Sequence, residues 1–188
     1  MSFNVGASDY IKQFLMAAIS TPEYWLRGPV ADIPSLLQPV AHAMLQAKAE
    51  VKNAVIHFPE EKRWDKPAGV ASVAFHLQHL AGVIDRLFTY AKGEALSQQQ
   101  LTYLSGEGEQ NAAITLASML DHFVEQVDYA LLQLKTFPPA QLTHTRFVGR
   151  HQLPSTVVGL LFHAAEHTMR HTGQLLVTTA LLKDTASG

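Results

Sequence analysis

Three of the ten histidines in this chain fall in one stretch, His163 to Gln174, reading HAAEHTMRHTGQ, at a spacing of four. Residues four apart on a helix lie nearly one above the other, so His163, His167 and His171 form a column along one face. Two neighbouring members of such a column can grip one metal ion from the same side. His163 and His171 cannot do so alone: they are two turns apart, roughly 12 Å at about 1.5 Å per residue. That is too far for a shared ion at Zn–N distances of about 2.0–2.1 Å. His167 therefore belongs to either pair, His163/His167 or His167/His171.

Two more histidines, His76 and His79, stand three apart within an apolar stripe, SVAFHLQHLAGVIDRLF. A lone histidine in such a stripe is ordinarily a core residue hydrogen-bonded to a neighbour. Two on one helix and a column on another can converge inside a bundle, where metal sites are built from facing helices. His42, His57, His122, His144 and His151 have no such company and read as surface or partly buried residues.

The donor types narrow the class. Di-iron bundles use Glu-x-x-His pairs with further carboxylates, and no Glu here is followed three residues later by His. His163 to His167 does spell H-x-x-E-H, the inverted zinc-protease motif, with Glu166 in the place of the general base. The resembled proteases add a Glu ligand far downstream, whereas only 21 residues follow His167 and Asp184 is the sole acid among them. Glu166 is more simply paired with Arg170 at i,i+4. No G-x-S-x-G elbow, phosphate loop or dinucleotide fingerprint is present.

The elements that must position these residues are helical. Asp9 to Ile19 reads as a short helix capped by Ser8 or Asp9, followed by a Pro- and Gly-rich loop in which Tyr24 and Trp25 are expected to be buried. Val40, Met44, Ala47, Val51, Val55 and Phe58 step by three and four, an amphipathic helix opened by Pro34 or by Pro39 and ended by Pro59. Ser72 caps a second helix that runs through Leu77, Ile84 and Leu87 to Lys92, with Gly93 as its stop. A long connection from Gly93 to Glu109 carries one helical turn at LSQQQLTYL and can run the length of a bundle. A third helix is expected from about Gln110 to Lys135. The fourth is announced by Pro154 and Ser155 and continues to about Leu182. No alternating strand pattern of useful length stands out, and four long amphipathic helices close naturally as a bundle.

Composition excludes several classes. With 188 residues and 47% hydrophobic content the chain supports one sizeable core,. A formal net charge of -2 supplies no field for a polyanion, so nucleic acid is not expected as a partner,. No apolar run approaches the roughly 20 residues of a membrane helix, and the start lacks a basic region followed by an apolar one. The expectation is a cytoplasmic protein with no membrane partner. The Cys count of 0 removes disulfides, Cys-rich zinc sites and cysteine nucleophiles together,. Any thiol chemistry must bring its thiol with the substrate.

SVAFHLQHLAGVIDRLFTYAKGE on the second helix, together with LPSTVVGLLFHAAEHTMRHTGQLL on the fourth, resembles the DinB/YfiT-like superfamily of bacterial metal-binding four-helix bundles. The likeness spans about Pro34 to Leu182, and its most specific part is the H-x-x-x-H-x-G-Q ending: His167, His171, Gly173 and Gln174. The resemblance implies an all-α, up-down-down-up four-helix bundle at residues 34–183, preceded by an N-terminal extension at 1–33 with its short helix and followed by a tail at 184–188. It also implies a mononuclear site of three His ligands. Carried over by position, these are His79, seven residues after the helix-opening Ser72, with His167 and His171. His76 and His163 are extra relative to the common pattern. They are expected to hydrogen-bond to a ligand, or to be ligands themselves if the triad is shifted one turn to His76/His163/His167. Gln174 is assigned a hydrogen bond near the site, and Gly173 a close helix packing.

Three imidazoles leave a coordination position open, as in catalytic rather than structural sites. Zinc suits them, and nickel and iron also accept imidazole. The characterised relatives include transferases that use low-molecular-weight thiols, so the leading expectation is a metal-dependent transferase that activates such a thiol for attack on a small electrophile. Arg146 and Arg150, ahead of the last helix, are candidates to recognise the carboxylates of that thiol. The rival expectations are a small-molecule hydrolase using metal-bound hydroxide and a non-enzymatic, metal-binding stress protein. The resemblance also implies a homodimer as a candidate assembly.

Overall fold

The computed structural model describes residues 22–184. The short helix expected at Asp9 to Ile19 lies outside them, as do residues 185–188. Five α-helices follow in order: α1 Gln38–Val55, α2 Val73–Lys92, α3 Gln98–Gly106, α4 Leu116–Leu134 and α5 Val157–Asp184. Their ends obey local chemistry. Pro39 stands in the first turn of α1, where its missing N–H costs nothing, after a 3₁₀ turn at Ser35–Leu37,. Ser72 Oγ accepts from the Phe75 amide at 3.2 Å to start α2,. Gly93 ends that helix with φ 82, a left-handed conformation that favours glycine,. Ser97 and Gln100 close a reciprocal capping box on α3, which makes the expected single turn a helix of nine residues,.

The direction of each long helix follows from its end contacts. Lys183 Nζ on α5 donates to the Ala54 carbonyl near the end of α1, so α1 and α5 run parallel. Arg63 Nε, beyond α1, donates to the Ile114 carbonyl just ahead of α4, and Lys48 pairs with Asp128, so α1 and α4 are antiparallel. Phe88 near the end of α2 meets Phe137 beyond the end of α4 at 6.3 Å, so α2 and α4 run parallel. The order is up-down-down-up, with the α3 connection running back along the bundle between the two parallel members. The inner faces carry Met44, Leu77, Phe88, Phe123, Leu134 and Leu161, all buried in one core. Among the described residues no single helix is long and apolar enough to cross a membrane.

The structure departs from the sequence expectations at several points. Trp25 is 62% exposed among the described residues rather than buried. α4 starts at Leu116, not near Gln110, because Thr115 accepts from the Ser118 amide and fixes the boundary. Thr145–Val148 and Leu153–Thr156 pair as an antiparallel hairpin, β1 and β2, with Phe147 opposite Pro154. Pro154 and Ser155 thus belong to β2, and α5 begins two residues beyond them. Four-residue strands are too short to establish an alternation, and positive φ at Gly149 and Gln152 makes the turn.

Arg146 attaches this hairpin to the bundle: its Nε donates to the Ala91 carbonyl in the last turn of α2 at 2.8 Å. A cation suits that end of a helix, where carbonyls lack amide partners. Arg146→Ala is expected to lower stability by about 1 kcal/mol in urea unfolding with an unchanged m value; no loss would show that the hairpin is held by other contacts.

Candidate metal centre

α2 and α5 cross antiparallel with the histidine faces of both turned inward. His79 Nε2 stands 2.9 Å from His167 Nε2, and His76 Nδ1 stands 3.2 Å from His171 Nδ1. A step of three on one helix is thereby matched by a step of four on the other. His79, His167 and His171 each offer a ring nitrogen, all within 4.8 Å of one another. Nitrogens around one tetrahedral zinc stand roughly 3.3–3.4 Å apart, so the closest pair needs to open by only a few tenths of an ångström. The shifted set His76/His163/His167 is not gathered. His76 is occupied by His171, and His163 points to Glu166, with Nδ1 to Oε2 3.4 Å.

Behind His79 stands an acid that no motif in the sequence singled out. Glu107, in the connection after α3, accepts from His79 Nδ1 through Oε2 at 2.7 Å and from Arg86 Nη1 through Oε1 at 2.6 Å. Its side chain is only 5% exposed, so the carboxylate is committed to these two partners. The carboxylate fixes His79 as the Nδ1–H tautomer, which turns the Nε2 lone pair toward His167. Gly82, one turn after His79, makes room for this: an added Cβ would overlap Glu107 Oε1 and stand 2.5 Å from Arg86 Nη1. Gly108 follows with φ 85 and brings its backbone against Phe75. The Gly108 amide donates to Gln78 Oε1 at 2.8 Å, and Tyr103 OH donates to the Gln78 carbonyl. A glycine inside an otherwise apolar helix and an acid between two glycines were the available signals; neither says which acid reaches which histidine.

His76 orients His171 as Glu107 orients His79, leaving the other nitrogen of His171 free for an ion. Phe75 stacks on the His79 ring at 5.3 Å. The Nδ1 of His167 is buried without a hydrogen-bond partner. Three imidazoles with the tautomer of one set by a buried carboxylate fit a divalent cation by donor chemistry.

The remaining candidates lie elsewhere. Gln174 is exposed, and Gly173 faces open space with no atom within 4 Å of an added Cβ, so among the described residues it serves no close packing. Arg170 pairs with Glu166. Arg86 pairs with Glu107 and not with its neighbour Asp85. Arg146 sits beside Ala91, about 18 Å along α2 from His79 at about 1.5 Å per residue,. With Arg150 it lines a cleft of about 800 Å³ between the hairpin and Leu101 and Leu104 of α3, which none of the three histidines lines.

Burial dominates the proton affinities. It pushes His76 down to about 4, with His79 adding to the effect. His171 is likewise pushed to about 4 by burial, then by His79, His167 and its other cationic neighbours. His167 lies below its ordinary value, again from burial first and His79 next. In Glu107 burial acts upward, but the hydrogen bonds from His79 and Arg86 and the charge of Arg86 outweigh it, and the carboxyl lies below its usual range. His167 and His171 are therefore held toward the neutral form near pH 7, the state that binds metal,.

Two outcomes follow. Glu107→Gln, and Gly82→Ala acting through it, are expected to weaken zinc affinity about 10–100-fold by competition titration; affinity within twofold of wild type would remove Glu107 from the site. In metal-free protein, His76 and His171 take up protons near pH 6.5 when unfolded but only near 4 when folded. Acid therefore favours the unfolded chain: the contribution of these two groups is whole above about 6.5, falls as pH drops, and levels off below about 4,. Glu107 acts in the same direction. Tm should fall by on the order of 5 °C between pH 7 and pH 4.5, and a flat profile would contradict the buried, neutral histidines.

The sequence profile of the DinB superfamily matches residues 21–175. No curated protein matches the chain. A profile match over most of the chain, on an up-down-down-up bundle whose second and last long helices bring three histidines together, settles the family: the chain belongs to the DinB superfamily.

Proposed function

We propose that His79, His167 and His171 hold one divalent cation, zinc in first place with nickel and iron as chemically admissible alternatives, and that the protein is a transferase presenting a low-molecular-weight thiol to a small electrophile. An ion so held supplies positive charge that lowers the pKa of a thiol or water beside it.

The observation that carries this reading is that, among the described residues, the group holding His79, His167 and His171 includes no fourth donor. His76 is engaged with His171, Glu107 with Arg86 and His79, and Glu166 with Arg170. A structural site would be closed by such a ligand, whereas a catalytic one keeps a position for substrate. Phe75 and the Arg86–Glu107 pair wall the triad on the α2 side, leaving the His79 side chain 17% exposed. The exposed approach is the rim of α5, at His163, Glu166 and Arg170. Arg170 acts electrostatically on His167 and His171, which supports seating an anionic co-substrate at this rim rather than at Arg146 or Arg150.

Elemental analysis of protein purified without a nickel column should find one metal per chain, lost in His79→Ala, His167→Ala and His171→Ala. The loaded protein should then consume an activated aryl halide only when a low-molecular-weight thiol is supplied. Turnover without thiol would replace the transferase by a hydrolase. Bound metal that raises Tm without any turnover would make the ion a structural tie between α2 and α5.

A further inference from the structure

His167 belongs to two metal-competent groups. One is the triad with His79 and His171; the other is His163, Glu166 and His167, whose ligand atoms also lie within 4.8 Å of one another. The two differ in access. His163 is 50% exposed at its side chain and Glu166 36%, whereas His79 is 17% exposed and covered by Phe75. His163 and His167 are in ring contact at 5.2 Å, and His167 and His171 at 4.7 Å, so the column continues without a gap from the rim to the triad.

A hydrated cation cannot shed its waters at a recessed site in one event, and it loses them more readily when each departing water is replaced by a donor already in place. We propose that His163 and Glu166, with His167, form a capture site at the rim through which the ion reaches the triad, His167 being the ligand shared by both. The inference rests on the triad reading above. Glu166 turns from Arg170 to the incoming ion, and the lone pair of His163 replaces one water and that of His167 a second. His171 and His79 then replace Glu166 and His163. Each exchange releases a water or a protein ligand. Once captured, the ion meets the triad as an intramolecular partner at high effective concentration. His163 is thus an entry residue and not a ligand of the final site, which explains why a fifth histidine stands in register with the triad yet outside it.

The test is stopped-flow uptake of Co²⁺, read by its d–d absorption, into metal-free full-length protein, with release followed after chelator is added. His163→Ala should slow uptake and release alike, by roughly tenfold, with stoichiometry and equilibrium affinity unchanged, because removing a route leaves the end states alone. The exposed His144→Ala is the control and should match wild type. Equal rates for His163→Ala and wild type would overturn the capture site, as would slowing of the same size in the control. Faster release with weakened affinity would also overturn it, by making His163 a ligand of the bound state. Failure of the triad itself reads differently: wild type would take up no Co²⁺, or His79→Ala would retain it fully.

Discussion

The antiparallel register of α2 against α5 is the constraint on which the site depends. Both helices rise by the same amount per residue, so a histidine pair at i,i+3 on one can face a pair at i,i+4 on the other with little mismatch. His76 meets His171 and His79 meets His167 in that way. Sliding either helix by one turn would separate both pairs, and the core fixes the slide. Leu77, Leu80 and Ile84 on α2 and Leu161, Ala164 and Leu175 on α5 are buried around the histidine layer. Apolar packing sets the register, and the register sets the ligand geometry.

Against that frame stands a buried charge that the core does not need. Arg86 and Glu107 form an ion pair of which little is exposed on either side. Pairs of this kind contribute little net stability over apolar residues of equal volume, yet are costly to break because the survivor is left buried and uncompensated. The arrangement therefore makes better sense as a positioning device than as a stabilising one. Arg86 keeps Glu107 ionised despite burial, Glu107 keeps the Nδ1 proton on His79, and Gly82 keeps the space clear for both. Two residues on α2 and one from a connection serve the tautomer of one imidazole.

Much of this was legible in the chain because it is local. Ser72 and Gly93 bracket α2 by backbone chemistry that needs no tertiary information, and the histidine column follows from helical spacing alone. The up-down-down-up order was implied by family resemblance and by the length of the second connection, and the end contacts bear it out. What was not legible depends on non-local partners. Glu107 sits in a connection, 28 residues from His79, and nothing in its neighbourhood names that histidine. The hairpin at Thr145–Thr156 is too short to establish a period. Arg146 is near the last helix in sequence but bonded to the far end of α2 in space, so proximity along the chain misplaced it relative to the histidines. Among the described residues nothing packs on Gly173, whose face of α5 is open.

The charge balance of the site bears on its chemistry. A divalent cation held by three neutral imidazoles keeps its full charge at the ligand sphere, and Glu107 offsets only part of it from behind His79. A carboxylate ligand would have neutralised more of that charge and reduced the pull on whatever occupies the open position. Glu166, the acid nearest the rim, is tied to Arg170 and adds no net charge there. With such an ion bound, positive charge would face the exposed rim of α5, with Phe75 and the Arg86–Glu107 pair behind it. Such a field would favour the anionic form of a small molecule beside the ion over its neutral form.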